Sequence, residues 1–156
     1  MPKKIFLVYA VTALGICLWL SLIFLAPYLE SESSPFSRWI YLMFAPTCHQ
    51  NASRCFHLWG YPLAVCARCL GIYFGFLGGT LFYPGIRGFK SLTIPRLKVL
   101  LWISLPIAID TLSNVLTLWS SPAWLRLILG ALWGSILPFY FIPGIADALV
   151  KTKKAK

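Results

Sequence analysis

The chain has 156 residues, of which 59% are hydrophobic and 12% charged, with 14 Lys and Arg against 4 Asp and Glu and a formal charge of +10. That balance excludes an ordinary water-soluble domain, whose core helices carry one apolar stripe, because the long segments here are apolar on every side. It also argues against nucleic-acid binding, since the basic residues fall in separate short groups at segment ends, not on one continuous face.

Charged residues are absent from 5–29, 70–86 and 127–146, and 99–125 is interrupted only by Asp110. Each run is long enough, or nearly so, for a helix crossing a hydrocarbon core of about 30 Å. The fold expected is therefore all-α: one integral membrane four-helix bundle over residues 1–156, with spans at about 5–28, 65–85, 98–119 and 125–146. The first run follows Lys3 and Lys4, as a secretory signal would. It is too long for an h-region of about 7–15 residues and has no small-residue cleavage site, so it is expected to stay as a signal anchor ending at Ala26-Pro27. Cys17 within it reads as a buried apolar filler.

An outer loop is expected over 30–64. It opens with a short helical pattern in which Ser34 can cap, Pro35 fits the first turn and Pro46 ends the run. Phe36, Trp39, Ile40, Met43 and Phe44 share one face. At roughly 11 residues this helix cannot span, and the expectation is an amphipathic interfacial helix on the outer leaflet.

The loop then gathers four of the five cysteines and both histidines: Cys48-His49, Cys55-x-His57 and Cys66-Ala67-Arg68-Cys69. Soft thiolates and imidazoles concentrated in this way suit a transition metal. Cys48, His49, Cys66 and Cys69 make a Cys3His set for zinc. Adjacent side chains such as Cys48 and His49 diverge, so His57 or Cys55 can substitute as the fourth ligand. A position left to water would make the site catalytic or transporting. Copper or iron would also accept these donors.

In the second span Gly71, Gly75 and Gly79 recur every four residues with Gly78 beside them, and Gly130 and Gly134 repeat the device in the fourth. Such faces permit close helix contact, and they also leave homo-oligomerisation open. A cytoplasmic loop at 86–98 follows the second span. Pro106, Pro138 and Pro143 are expected to kink or end the later helices, and the last two spans are joined by a turn around Ser120-Ser121-Pro122-Ala123. Asp110 falls inside the third span, where an ionised carboxylate is costly and functionally suspect. Asn114 and Thr117 continue a polar stripe from it, and Arg68 or Arg126 can reach it along an alkyl stem. Asp110 and Arg68 are thus candidate proton-handling or catalytic groups, with Arg54, Asn114 and Arg126 as ligand-orienting or structural residues.

Ten of the 14 basic residues group at Lys3–Lys4, at Arg87, Lys90, Arg96 and Lys98, and at Lys151, Lys153, Lys154 and Lys156. Arg38, Arg54, Arg68 and Arg126 fall on the other side, beside Glu30 and Glu32. The positive-inside rule puts both termini in the cytoplasm and the Cys/His segment outside, in a cell membrane.

The run Cys48-His49-Gln50, Arg54-x-Phe56, Gly60 and Val65-Cys66-Ala67-Arg68-Cys69-x-Gly71-Ile72-Tyr73-x-Gly75 resembles the signature of the domain-of-unknown-function family numbered 2085, small multi-pass prokaryotic membrane proteins. A later element of that family, Asp-Gly-x-x-Gln followed by an Arg and two spaced glycines, is matched more weakly by Asp110-Thr111-x-x-Asn114, Arg126, Gly130 and Gly134. The resemblance implies a membrane location and a site, but no known activity. It points to Cys48, His49, Arg54, Cys66, Arg68, Cys69 and Asp110. Cys55 and His57 lie outside the pattern, which commonly has Ser at the position of Cys55.

Four outward cysteines on a four-span protein are also similar to the disulfide-generating quinone reductases and vitamin K epoxide reductases. That resemblance would have Cys66 and Cys69 pass electrons to a quinone, with Cys48 and Cys55 meeting a soluble thiol partner and Arg68 tuning a thiol. It leaves His49 and His57 unused. The plainest alternative is a pair of structural disulfides in a membrane scaffold or transporter subunit. No phosphate-binding loop, hydrolase elbow or paired-carboxylate motif is present, so whether the protein is an enzyme stays open.

Overall fold

A computed structural model describes residues 2–88 and 94–152. Six α-helices follow in chain order among the described residues: α1 (Pro2–Ser31), α2 (Phe36–Phe44), α3 (Ala67–Arg87), α4 (Leu97–Val115), α5 (Ala123–Ile136) and α6 (Pro138–Thr152). α1, α3, α4 and the nearly continuous α5–α6 pair are long and apolar enough to cross a membrane, with mean hydropathies of 2.3, 1.4, 1.3 and 1.7. Their outward surfaces stay apolar. Leu14, Trp102 and Leu132 are all exposed, as expected where lipid, not water, is the solvent. The protein is an all-α membrane bundle.

Several boundaries differ from expectation. α1 does not end at Ala26-Pro27 but runs four residues further, with both residues buried against the bundle; a proline inside a membrane helix is tolerated when neighbours cover the freed carbonyl. Cys17 is exposed, not buried, because helical rotation turns Ile16 and Leu20 inward instead. α4 stops at Val115, short of residue 119, and Thr117 takes a left-handed φ of 57° that starts the turn to α5. Pro138 breaks the last span into α5 and α6, whereas Pro106 and Pro143 lie within helices. Lys90, Lys153, Lys154 and Lys156 lie outside the described residues.

α2 forms as expected, but no side chain caps it. Ser34 contributes its carbonyl, which accepts from the Ser37 amide at 3.2 Å and the Ser37 hydroxyl at 2.9 Å. Ser37 also donates to the Glu30 carboxylate, tying α2 to the end of α1. Phe44 turns inward while Phe36, Trp39 and Met43 remain exposed, leaving an apolar face that suits a bilayer interface.

α3 and α5 form the tightest helix pair. A Cβ added at Gly71, Gly75 or Gly79 would lie 2.1, 2.1 or 2.0 Å from the backbone oxygen of Leu127, Ala131 or Ser135. Gly130 and Gly134 meet Arg68 and Ile72 in the same way. The two glycine faces are therefore packed against each other within the chain. Gly78 lies off this face, with nothing within 4 Å of its would-be Cβ. α4 is the loosest member: Asp110 is its one buried residue.

Candidate functional site

The segment between α2 and α3 is folded so as to return Cys48 to the start of α3. Two-residue strands β1 (His57–Leu58) and β2 (Tyr61–Pro62) pair antiparallel, turned by Trp59 and Gly60 with φ of 52° and 84°. Positive φ at both turn residues is the geometry of a tight hairpin, and glycine takes it without strain. Gln50, itself at φ 47°, donates through Nε2 to the carbonyls of Tyr41 at 2.7 Å and Ala64 at 2.9 Å. The Tyr41 hydroxyl donates to the Pro62 carbonyl at 2.6 Å. These bonds clamp α2 to the strand leading into Cys66.

The result is a three-thiol centre. The Sγ atoms of Cys48, Cys66 and Cys69 all lie within 4.8 Å of one another, the one group of three or more potential metal ligands brought together among the described residues. Cys48 is buried and its neighbours half-buried, on a core built from Ile23, Phe44, Leu63, Val65 and Leu70. Cys66 is the N-cap of α3, so Cys69 stands one turn along the helix and both thiols sit at its positive end. The backbone N–H of Cys66 donates to Cys48 Sγ at 3.2 Å. Hydrogen bonds from the thiols of Cys48 and then Cys69 hold the Cys66 thiol well below its ordinary value, favouring the thiolate that binds metals.

Cys55 is buried beside this centre, close enough for the charges of Cys66 and Cys48 to act on it. Burial first, then those charges, push its thiol up to about 12. His49 and His57 are exposed, as is Arg54, and neither histidine joins the three-thiol group. The structure thus brings together three of the four residues in the Cys48, His49, Cys66 and Cys69 set, with Cys55 the nearest further thiol. All five cysteines are free thiols.

Beneath the thiols runs a polar network inside the spans. Arg68, between the two α3 cysteines, is ion-paired through Nη2 to Asp110 Oδ2, the two side chains being 20% and 7% exposed. Asn114 Nδ2 lies 2.6 Å from the Asp110 carbonyl, 3.2 Å from Asp110 Oδ1 and 2.8 Å from Ser121 Oγ. Arg126, buried at 8% exposure, donates from Nη2 to Asn114 Oδ1 at 2.7 Å and from Nε to Ser121 Oγ at 3.0 Å. Arg68 is therefore the arginine that meets the carboxylate, and Arg126 reaches it through Asn114. Thr117 is exposed and leaves the stripe.

Two functional positions were not singled out as such from the sequence. Ser121 looked like a turn residue, yet it is buried and joins Asn114 to Arg126. Gln50 appeared as one letter of a motif, and its place directly after Cys48-His49 was the available signal for a clamp.

Residues 48–140, more than half of the chain, match the model of a family described as predicted membrane protein (DUF2085). An uncharacterised archaeal protein, MJ1492 of Methanocaldococcus jannaschii, is 35% identical over 152 residues, covering 94% of this chain and 97% of its own length. No solved structure matches the chain. Together these describe a multi-pass membrane protein carrying a cysteine cluster able to hold a metal ion.

Proposed function

The chain belongs to this family of predicted membrane proteins, and from that premise we propose that it holds a transition-metal ion, zinc by preference, at an outward-facing thiolate site on the mouth of its bundle. The observation that carries the reading is the convergence of three Sγ atoms within 4.8 Å. Three supports accompany it: a backbone N–H already aimed at one sulfur, a helix N-terminus beneath two of them, and a position on the apolar core that buries Cys48 and half-buries the other two. Cys48, Cys66 and Cys69 would be the protein ligands. Cys55 is the nearest fourth donor, His49 and His57 are the exposed alternatives, and a vacant fourth position would be taken by water or by a ligand brought to the site. Thiolate donors also suit copper(I) and iron, and zinc is preferred here on ligand type alone, as the ion that most commonly takes Cys-rich tetrahedral sites.

A bound divalent ion would supply Lewis acidity and hold its ligands as thiolates. The chain's own part is to orient those ligands through Gln50 and the hairpin, and to set the local charge through Arg68 and Asp110. Cytoplasmic termini and a cell-membrane address belong to the same proposal, supported by the distribution of Lys and Arg and by the apolar outer surfaces.

The second reading is thiol–disulfide exchange with a membrane quinone, favoured by Cys55 lying beside the other three thiols. Oxidation of two thiols to a disulfide releases two electrons and two protons, which would reduce one quinone to its quinol. A soluble dithiol partner would then reduce the disulfide and leave oxidised.

Cobalt(II) added to the reduced protein in detergent separates the two. The metal reading expects thiolate-to-cobalt absorption in the near ultraviolet and intense visible bands of a tetrahedral site, both displaced by zinc. Absence of these bands in protein whose thiols titrate as free would refute it.

A further inference from the structure

The polar network contains more positive than negative charge. Asp110 answers Arg68, while Arg126's partners among the described residues are the neutral side chains of Asn114 and Ser121. Guanidinium groups stay protonated in proteins, so this group carries a surplus positive charge at a depth where charge is costly. The charges of Arg54 and Arg68 act against that of Arg126, while those of Asp110 and Cys66 partly offset them. The Nε of Arg68 is buried with no hydrogen-bond partner among the described residues.

A cleft of about 580 Å³ leads away from Arg68 between α3, α4 and α5, walled by Ile72, Ile107, Leu112, Val115 and Trp133. It opens sideways, because α4 buries no residue but Asp110. The stretch of α4 that lines it, from Ser104 to Val115, is about 16 Å long at 1.5 Å per residue. At its deep end Trp133 Nε1 donates to Ser104 Oγ at 2.8 Å, so the polar groups there are satisfied internally. The cleft is therefore cationic at the end that carries the cysteines and apolar along the rest, within the membrane-spanning region.

We infer that this cleft seats one acyl chain of an anionic phospholipid, with its phosphate at Arg68 neutralising the surplus charge shared by Arg68 and Arg126. Charge complementarity selects the occupant. A phosphate oxygen is a strong acceptor for a guanidinium N–H, and the site lies only one to two turns from the ends of α4 and α5. A free anion would use the arginines and leave the apolar walls uncovered; a second copy of the chain would cover the walls and leave the charge. None of the three cysteine ligands lines the cleft, so lipid binding there can be read separately from metal binding; Arg126 does not line it either and acts on the phosphate through its charge.

The test is native mass spectrometry of delipidated protein offered phosphatidylglycerol, phosphatidylcholine of the same chains, or inorganic phosphate. Wild type should retain phosphatidylglycerol about fivefold over phosphatidylcholine, the preference expected of one basic side chain at an anionic headgroup. Arg126→Gln should bring the two lipids to near parity. Ala108→Phe, on the exposed wall of the cleft, adds bulk without removing a buried group and should lower retention of both. Equal retention of the two lipids by wild type would overturn the inference. So would full competition by inorganic phosphate, a dimer persisting in place of lipid, or undiminished phosphatidylglycerol binding by a folded Ala108→Phe protein.

Discussion

The backbone N–H of Cys66 points at the sulfur of Cys48, 3.2 Å away, although the two residues are 18 apart in sequence. An amide aimed at sulfur fixes the direction of its remaining lone pairs, as outer partners do in metal sites. The whole 49–65 segment can be understood as the device that makes this contact. Gln50 and Tyr41 clamp its two ends, and the turn at Trp59-Gly60 reverses it.

Removing that sulfur should therefore matter more than removing a histidine. Cys48→Ser is expected to lower metal affinity by more than the roughly 10–100-fold that loss of an outer partner costs. Cys55→Ser should weaken binding as well. His49→Ala and His57→Ala, at exposed positions, should stay within about a factor of two of wild type. Competition against a chromophoric chelator measures all four, and a fall in His49→Ala equal to that in Cys48→Ser would show that the imidazole is a ligand.

Arg68 and Asp110 should be coupled. Asp110→Asn leaves a half-buried guanidinium without its counter-charge and is expected to destabilise the bundle by about 3 kcal/mol, the lower end for breaking a buried pair, since the Arg68 side chain keeps 20% exposure. Arg68→Gln combined with Asp110→Asn removes both charges and should cost clearly less than the sum of the single changes. Denaturation in mixed micelles gives the cycle; strict additivity would mean that the ion pair contributes nothing.

The helix faces allow a sharper contrast. Gly75→Ala drives a methyl to 2.1 Å from the Ala131 carbonyl, so α3 and α5 must separate; overpacking of this kind costs about 1–3 kcal/mol. Gly78→Ala meets nothing within 4 Å and should be neutral or stabilising by up to about 1 kcal/mol through helix propensity. Equal effects at the two positions, read as midpoints of thermal aggregation, would contradict the assigned α3–α5 contact.

Much of this architecture was legible because membrane solvation writes itself into composition. Four charge-poor runs show that there are four spans, though not where each one ends, and glycines four apart mark faces fit for close packing, though not that those faces meet each other. The contacts that depend on the return of the chain were not legible. Cys66-x-x-Cys69 can be read from its spacing on one helix, but the arrival of Cys48 depends on a hairpin of two-residue strands too short to leave a periodic signal. For the same reason His49 could stand in the ligand set on residue type alone, while the structure turns it outward. Asp110 was recognisable as a costly group, and Arg68 and Arg126 as its candidate partners. The choice between them follows from register: Arg68, in the first turn of α3, meets the carboxylate, and Arg126 is engaged by Asn114 and Ser121.

Orientation can be checked independently. A reporter fused after Lys156 should be active only in the cytoplasm, and one inserted between Ser53 and Arg54, at an exposed turn, only on the outer side. The opposite pattern would place the thiols in a reducing compartment. That would remove the setting the quinone reading requires while leaving metal binding intact.

Metal content of the purified protein, determined by elemental mass spectrometry with a thiol count on the same sample, tests the central claim most directly. Wild type should carry about one equivalent of zinc, with Cys48, Cys66 and Cys69 titrating as thiols once the metal is chelated, and a Cys66→Ser/Cys69→Ser double variant should carry none. Metal-free wild type whose outer cysteines are already oxidised would contradict the metal site and turn attention to quinone-dependent thiol oxidation.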